Sequence, residues 1–161
     1  MSDPRIRRAR EEDLASIVEL VEELPDYERA RQDCHLTVDL LREALFCPSP
    51  ALFGHVAEVD GEVVGTALWF LNFSTWRGKH GIYLEDLYVR PSLRGSGLGK
   101  ALLTTLAQEC VARGYSRLEW SVLDWNEPAI GFYKSLGAIP MDEWMVFRLT
   151  DRALTELGSL H

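Results

Sequence analysis

A glycine-rich loop is the stretch of this sequence best suited to chemistry. It covers residues 94–100 (RGSGLGK), follows an alternating apolar and polar run that predicts a strand, and leads into a predicted amphipathic helix. The N–H groups at a helix N-terminus have no acceptor within the helix, and the helix dipole adds positive potential there. We therefore predict that this loop binds an anion such as a phosphate.

The spacing of the glycines excludes two common nucleotide-binding loops. The interval from Gly95 to Gly99 is one residue shorter than a P-loop requires, and Ala101 stands where a P-loop has a hydroxyl side chain. A dinucleotide fingerprint needs glycine at the position of Lys100. The remaining pattern is Arg-x-x-Gly-x-Gly, and by itself it is also compatible with a tight turn into a helix.

Composition limits the class of protein. The chain has 161 residues, of which 47% are apolar, enough for one domain (1–161) with a substantial core. Its net charge of −8 argues against nucleic acid and anionic membranes as partners. The three cysteines form no pair motif, which favours a reducing compartment, and neither they nor the four histidines show metal-ligand spacing. The N-terminus lacks an apolar signal segment, so we expect a cytoplasmic protein. Because metal-ligand spacing is missing, we expect the protein to use no metal.

Hydrophobic periodicity predicts a mixed α/β domain whose early strands form antiparallel hairpins. Asp60-Gly61 between two apolar runs is typical of a hairpin turn, and Thr37 is a predicted N-cap. In order, the predicted elements are a strand at Arg5–Ala9, a helix from Glu11 that Pro25 ends, a helix to Phe46, strands at Ala51–Val59 and Glu62–Asn72, the strand before the glycine loop, a helix ending at Gly114, a strand at Arg117–Leu123, a helix from Asn126 to about Gly137, a strand at Trp144–Leu149 and a short C-terminal helix.

Four local patterns together identify a resemblance. They are Tyr27-Glu28, YLED at 83–86, RGSGLG at 94–99 and WNEPAIGFYK at 125–134. The sequence resembles the diamine (spermidine/spermine) and thialysine N-acetyltransferase group of the GNAT superfamily. The resemblance implies the GNAT fold, in which a mixed, mostly antiparallel sheet is flanked by helices and the fourth and fifth strands splay apart around acetyl-CoA.

The resemblance also implies roles for individual residues. Acetyl-CoA would be the co-substrate, with its pantetheine arm on the backbone of Leu87, Tyr88 and Val89. Its pyrophosphate would lie on the glycine loop, where a Cβ would hold the phosphate away from the N–H groups. The cofactor-binding residues are then Leu87, Tyr88, Val89, Arg94, Gly95, Ser96, Gly97, Leu98, Gly99, Lys100, Asn126, Pro128 and Ala129.

Two catalytic residues are predicted. Tyr133 resembles the tyrosine that protonates the departing thiolate, a role suited to a phenol that is neutral at pH 7, although a core aromatic is the alternative. Glu85 is the candidate base that accepts a proton from the amine, directly or through water. In a regular strand Asp86 would face the other side, and a bulge would change which carboxylate faces the cleft.

The acceptor is predicted to be a small cationic amine, bound by Tyr27, Glu28, Glu85 and Asp86. Asp142-Glu143 either binds a distal ammonium group or forms an exposed turn. Direct transfer is the simplest scheme, since Cys110 falls on an apolar helix face and no nucleophile motif is present. Polyamines, diamino acids, aminoglycoside-like amines and protein N-termini all remain possible substrates. A non-catalytic acyl-CoA-binding module is the alternative, and the resemblance implies a homodimer.

Overall fold

The computed structural model describes residues 2–28 and 34–160, and the side chains at 25–28 lie outside this description. The chain divides into two compact units, Met1–Ser121 and Val122–His161. The prediction that residues 1–161 form a single domain stays a prediction.

The first unit is built on a five-stranded sheet whose spatial order is the order of the chain. The first four strands are antiparallel to their neighbours, and the fifth is parallel to the fourth. This confirms a mixed, mostly antiparallel sheet. The strands are β1 (Ile6–Arg8), β2 (Phe53–Val59), β3 (Glu62–Ser74), β4 (Lys79–Val89) and β5 (Leu118–Trp120).

Three helices flank this sheet, and local sequence explains their ends. They are α1 (Leu14–Glu28), α2 (Val38–Phe46) and α3 (Leu98–Arg113). The predicted N-cap of α2 is confirmed, because Oγ1 of Thr37 accepts a hydrogen bond from the Leu40 N–H at 3.1 Å. Gly114 ends α3 with a positive φ of 72°, as predicted for a C-cap glycine.

The hairpin between β2 and β3 is also confirmed. Asp60 and Gly61 have φ angles of 52° and 78°, which are the left-handed values that a type I′ turn needs at both central positions. The first cross-strand pair after the turn joins Val59 to Glu62, and the last joins Phe53 to Trp69. The turn sets the register of the two pairs nearest to it, and a register shift between Ala57 and Glu58 changes the register along the rest of β3, against which β4 then pairs.

The two faces of the sheet carry separate apolar layers. On one face, α1 and α2 pack their leucines and isoleucine against Val56, Leu68 and Tyr88. On the other face lies α3, whose predicted apolar residues Leu98, Leu102, Leu106 and Cys110 are all buried, as their spacing predicts. Helices thus cover both faces of the sheet.

Two predicted boundaries and one predicted strand were wrong. Helix α1 continues through Pro25 to Glu28, because a proline removes its own N–H but leaves later residues able to donate to carbonyls four positions back. Strand β5 is shorter than the predicted 117–123. Trp144–Leu149 is not a strand, since within the described residues this segment has no ladder partner, and periodicity alone does not supply one.

The second unit contains α4 (Glu127–Ser135) and α5 (Asp151–Gly158). Helix α4 begins as predicted, with Asn126 Oδ1 accepting from the Ala129 N–H at 3.4 Å and Pro128 in the first turn, where its missing N–H removes no helical bond. Gly137, with a φ of 92°, follows the end of the helix.

Candidate functional site

A β-bulge at Glu85 divides the central strand β4 into two halves. Trp69 of β3 pairs with Leu84 and Leu68 pairs with Asp86, so Glu85 is an extra residue on β4. Leu84 and Asp86 would share a face in a regular strand, but the bulge places Asp86 opposite Leu68, on the face covered by α1 and α2. Glu85 itself is exposed at the bulge.

One edge of β4 is open beyond this bulge. Strand β5 pairs only with residues 82–84 of β4, whereas β4 continues to Val89. In the described part of the chain, no other strand pairs with β4 on this side beyond Leu84. The parallel ladder therefore ends halfway along the central strand, and the expected splay between the fourth and fifth strands begins there.

The alternation of N–H and C=O groups along β4 determines which of them face this open edge. The Arg90 N–H donates to the Val64 carbonyl of β3 at 2.9 Å. Since backbone groups alternate between the two edges of an antiparallel strand, Leu87 and Val89 direct theirs away from β3, toward the open edge. Tyr88 is placed differently, because its backbone faces β3 and its side chain is 7% exposed in the core.

The glycine loop follows directly from this edge. A single 3-10 turn at Pro91–Leu93 leads to Gly95 and Gly97, whose φ angles are 86° and 82°. Gly97 is the N-cap of α3, and its carbonyl accepts from the Ala101 N–H at 2.9 Å. The N–H groups of residues 98–100 precede this first helical bond, so they are the donors that a helix N-terminus offers to an anion.

The loop also has room for a ligand. A Cβ built on Gly95, Gly97 or Gly99 would meet no other atom within 4 Å. Open space therefore lies beside a row of backbone donors, which is the arrangement that suits a pyrophosphate. These residues fit the phosphate-containing part of a coenzyme A ester.

Two cations lie at this loop. Arg94 donates from Nε to the Val89 carbonyl at 3.3 Å, and its guanidinium lies 5.6 Å from the centre of the Tyr88 ring. Lys100 lines a surface cavity of about 350 Å³. The other residues lining this cavity are Asp3, Pro4, Gly97, Ala101, Thr104 and Thr105.

One contact with the loop was not predicted from the sequence. Arg5, which precedes β1, donates from Nη1 to the Ser96 carbonyl at 3.2 Å. The two residues are 91 positions apart, and no local pattern around Arg5 signals a long-range contact.

The remaining predicted residues lie in α1 or the second unit. Helix α4 carries Asn126, Pro128 and Ala129 in its first turn, and the half-buried Tyr133 lies on the same helix beside Phe132, with ring centres 5.6 Å apart. Asp142 and Glu143 form the turn closed by the bond from the Trp144 N–H to the Met141 carbonyl. The predicted substrate residues Tyr27 and Glu28 end α1, and their side chains lie outside the described residues.

In this α/β protein, a central strand with one open edge runs into the N-terminus of α3, whose first N–H groups have no helical partners. This arrangement suits an extended ligand with a phosphate group. Residues 15–138 match the model of the acetyltransferase (GNAT) family. The chain belongs to this family, has the GNAT fold and is an N-acetyltransferase.

Known proteins of similar sequence and structure agree with this assignment. The chain is 38% identical to thialysine N-epsilon-acetyltransferase of Bos taurus, over 95% of this chain and 96% of that protein. It is 30% identical to spermidine/spermine N(1)-acetyltransferase-like protein 1 of Homo sapiens, over 96% of this chain but 24% of that longer protein. An integron cassette protein from Vibrio cholerae superposes with a TM-score of 0.81 at 26% identity, over 96% of this chain and 97% of that one. Across the described residues, no helix has the length and apolarity that crossing a membrane requires.

Proposed function

We propose that this protein transfers the acetyl group of acetyl-CoA to a primary amine of a small diamine or diamino acid. The observation that carries the proposal is the open edge of β4 from the bulge to Val89, which ends at the glycine loop. An extended pantetheine arm could extend such an edge as an added strand does, with the pyrophosphate at the start of α3. The thialysine and spermidine/spermine relatives supply the class of acceptor.

The chain's own residues then have distinct tasks. Bound acetyl-CoA supplies an activated acetyl thioester. Backbone groups of Leu87 and Val89 orient the pantetheine, and amides of residues 97–100 hold the pyrophosphate. The proposal keeps Asn126, Pro128 and Ala129 as cofactor-binding residues, as the resemblance implies. These contacts bring the carbonyl carbon to a fixed place, which is the entropic part of catalysis.

Proton transfer requires two further groups. An alkylammonium has a pKa of about 10, so most of the acceptor is protonated at pH 7 and must lose a proton before it attacks. Glu85, exposed at the bulge of β4, is the proposed acceptor of that proton, directly or through water. The new C–N bond forms as the C–S bond breaks, and Tyr133 donates its phenolic proton to the departing thiolate.

The proposal assigns the rest of a cationic acceptor to Asp86, Tyr27 and Glu28, as the resemblance implies. Asp86 lies one residue beyond Glu85, and Tyr27 and Glu28 close α1. We keep Asp142-Glu143 as an alternative site for a distal ammonium group. The homodimer implied by the resemblance remains part of the proposal and is testable by light scattering during gel filtration.

The test is thiol release from acetyl-CoA with a panel of acceptors. The panel contains thialysine, lysine, diaminobutyrate, spermidine, spermine, putrescine and several peptides with free N-termini. We expect turnover with a diamino acid or polyamine and a loss of at least about tenfold in kcat for Tyr133→Phe, since a general acid contributes about 10²–10⁴-fold. Tyr115→Phe is the control, because the Tyr115 hydroxyl contacts Arg113 at the other end of α3.

Three outcomes would change the proposal. Preference for peptide N-termini would replace the acceptor class. Acetyl-CoA binding without turnover of any amine would favour the acyl-CoA-binding module. Unchanged kcat in Tyr133→Phe would remove only the role of the tyrosine.

A further inference from the structure

The peptide bond between Ser96 and Gly97 is held from outside the glycine loop. The Ser96 N–H donates to the Leu93 carbonyl at 3.3 Å, and the Ser96 hydroxyl donates to the same oxygen. The Ser96 carbonyl accepts from Arg5 Nη1 at 3.2 Å. Both backbone groups of Ser96 therefore have partners, and the one supplied by Arg5 comes from the start of the chain.

The guanidinium of Arg5 is itself held by Asp3. Arg5 Nε and Nη2 donate to the two carboxylate oxygens of Asp3 at 3.0 and 2.8 Å, and the Arg5 backbone N–H donates to Asp3 Oδ1 at 2.9 Å. This two-pronged contact fixes the plane of the guanidinium and leaves Nη1 directed at the loop. The bonds from Arg5 lower the pKa of Asp3 to about 2, so the pair stays charged throughout the neutral range.

The Arg5 bond determines where the next N–H group points. In a trans peptide the C=O of one residue and the N–H of the next point in opposite directions. A Ser96 carbonyl held toward Arg5 therefore directs the Gly97 N–H away from Arg5. Gly97 is the N-cap of α3, so this N–H adjoins the amides of residues 98–100.

Without such a restraint, this peptide could rotate. Gly97 has a φ of 82°, and glycine adopts both signs of φ at similar cost. A rotated peptide would present the Ser96 carbonyl, instead of the Gly97 N–H, to an anion at the loop. The alternative orientation would repel a phosphate group.

We propose that Arg5, oriented by Asp3, is a positioning residue for the pyrophosphate of the cofactor, acting through the Ser96–Gly97 peptide. This inference rests on the proposed use of acetyl-CoA. It adds to the proposed cofactor site a residue that lies outside the glycine loop and that reaches the loop through the Ser96 carbonyl.

Binding of three ligands to the full-length protein tests the inference. They are CoA, 3′-dephospho-CoA, which keeps the pyrophosphate, and pantetheine, which lacks all phosphates. We expect Arg5→Ala to weaken the binding of CoA and of 3′-dephospho-CoA by about tenfold each, which is the scale of one charge-assisted hydrogen bond. The affinity for pantetheine should be unchanged. Calorimetry measures the first two ligands, and competition against CoA measures pantetheine.

Matched variants show whether a loss of binding in Arg5→Ala comes from the lost hydrogen-bond geometry or from the lost positive charge. Arg10→Ala removes an equally positive side chain whose guanidinium pairs with Glu12 on the surface, and it should bind all three ligands as the wild type does. Arg5→Lys keeps the charge but lacks the planar fork that binds both Asp3 oxygens while a third nitrogen reaches Ser96, so we expect most of the loss to remain. Asp3→Ala should weaken CoA binding in the wild-type background and have no further effect in Arg5→Ala. Such non-additivity is expected if Asp3 acts only through Arg5.

The outcomes distinguish this inference from the function on which it rests. If the wild type binds no CoA, the proposed function fails and the inference fails with it. If the wild type binds CoA and Arg5→Ala binds it equally well, only the role of Arg5 is overturned. The role is also overturned if Arg5→Ala loses affinity for pantetheine to the same extent, or if it keeps full affinity for 3′-dephospho-CoA. Full affinity for CoA in Arg5→Lys would overturn it as well. Should Arg5→Ala not fold, Asp3→Ala and Arg5→Lys carry the same comparison.

Discussion

Trp69 donates its indole N–H to Nδ1 of His55 across 3.0 Å, and both side chains are buried between the sheet and α3. An indole N–H is only a donor, so Nδ1 of His55 must accept and the imidazole must be neutral. Burial, reinforced by the positive charge of Arg8, lowers the pKa of His55 from 6.5 to about 4. The core of this enzyme therefore contains a histidine that resists protonation.

This pair predicts a loss of stability in mild acid. The pKa of His55 is lower in the folded than in the unfolded protein, so the unfolded chain takes up the proton first as the pH falls. The free energy of unfolding should decline between pH 6.5 and pH 4, by up to about 3 kcal/mol. Urea unfolding at several pH values measures this decline. His55→Gln should remove most of the decline, whereas the exposed His80→Gln should keep it. An unchanged slope in His55→Gln would contradict the prediction.

The absence of a side chain at Gly81 lets β5 approach β4. A Cβ on Gly81 would lie 2.8 Å from the Arg117 carbonyl oxygen and 2.7 Å from Asn72 Oδ1. We expect Gly81→Ala to lower the free energy of unfolding by about 1–3 kcal/mol, because backbone must move to relieve the contact. Gly54→Ala is the control, since its nearest contact is a flexible Leu68 methyl group at 3.2 Å. Equal losses of stability in the two variants would contradict this view of β5.

Alanine substitutions at two glycines with similar backbone angles distinguish a loss of cofactor binding from the cost of backbone strain. Gly97 and Gly78 have φ angles of 82° and 65°, and at both positions a Cβ would meet nothing within 4 Å. Alanine at either should cost about 1–2 kcal/mol of stability because of the left-handed backbone. Only Gly97→Ala should also raise the KM for acetyl-CoA, by about tenfold or more, because its Cβ would enter the space beside the loop donors. A similar KM in both variants would exclude the loop as the phosphate site.

The bulge in β4 predicts different effects for adjacent carboxylates. Glu85→Gln should lower kcat at pH 7 by about 10²-fold, with activity recovering toward wild type as the pH rises and more of the amine is neutral. Asp86→Asn should mainly raise the KM for the amine, since we propose that Asp86 binds the cationic substrate. Steady-state kinetics from pH 6 to 9 with the best acceptor distinguishes the two patterns. Recovery of Asp86→Asn, instead of Glu85→Gln, at high pH would exchange the two roles.

Local elements of the fold were predictable because each depends on a few neighbouring residues. Asp60-Gly61, Thr37 and Gly114 act through positive φ or one capping hydrogen bond, and all three are where the sequence places them. Helix α3 follows from its apolar spacing in the same way. The strand predicted at Trp144–Leu149 failed because a strand needs a partner, and alternation of residue types does not provide one.

The candidate site was predictable only in part. The glycine loop and the capped start of α4 are local motifs, and a resemblance to known acetyltransferases connects them with acetyl-CoA. The sequence did not indicate that Tyr88 turns its backbone toward β3 while Leu87 and Val89 face the open edge. That difference depends on the register of β4 against β3, which is set by pairing along the whole strand.

By itself, then, the sequence determined the helix and turn signals, the glycine loop before α3 and the family, because these are encoded over short stretches of chain. Only the tertiary structure decided that Glu85 is a bulge, that the β4–β5 ladder stops at Leu84, and that Arg5 holds Ser96 from 91 residues away. Each of these features results from competition between pairings of distant segments, and its free energy is a sum over contacts that no short window of sequence contains.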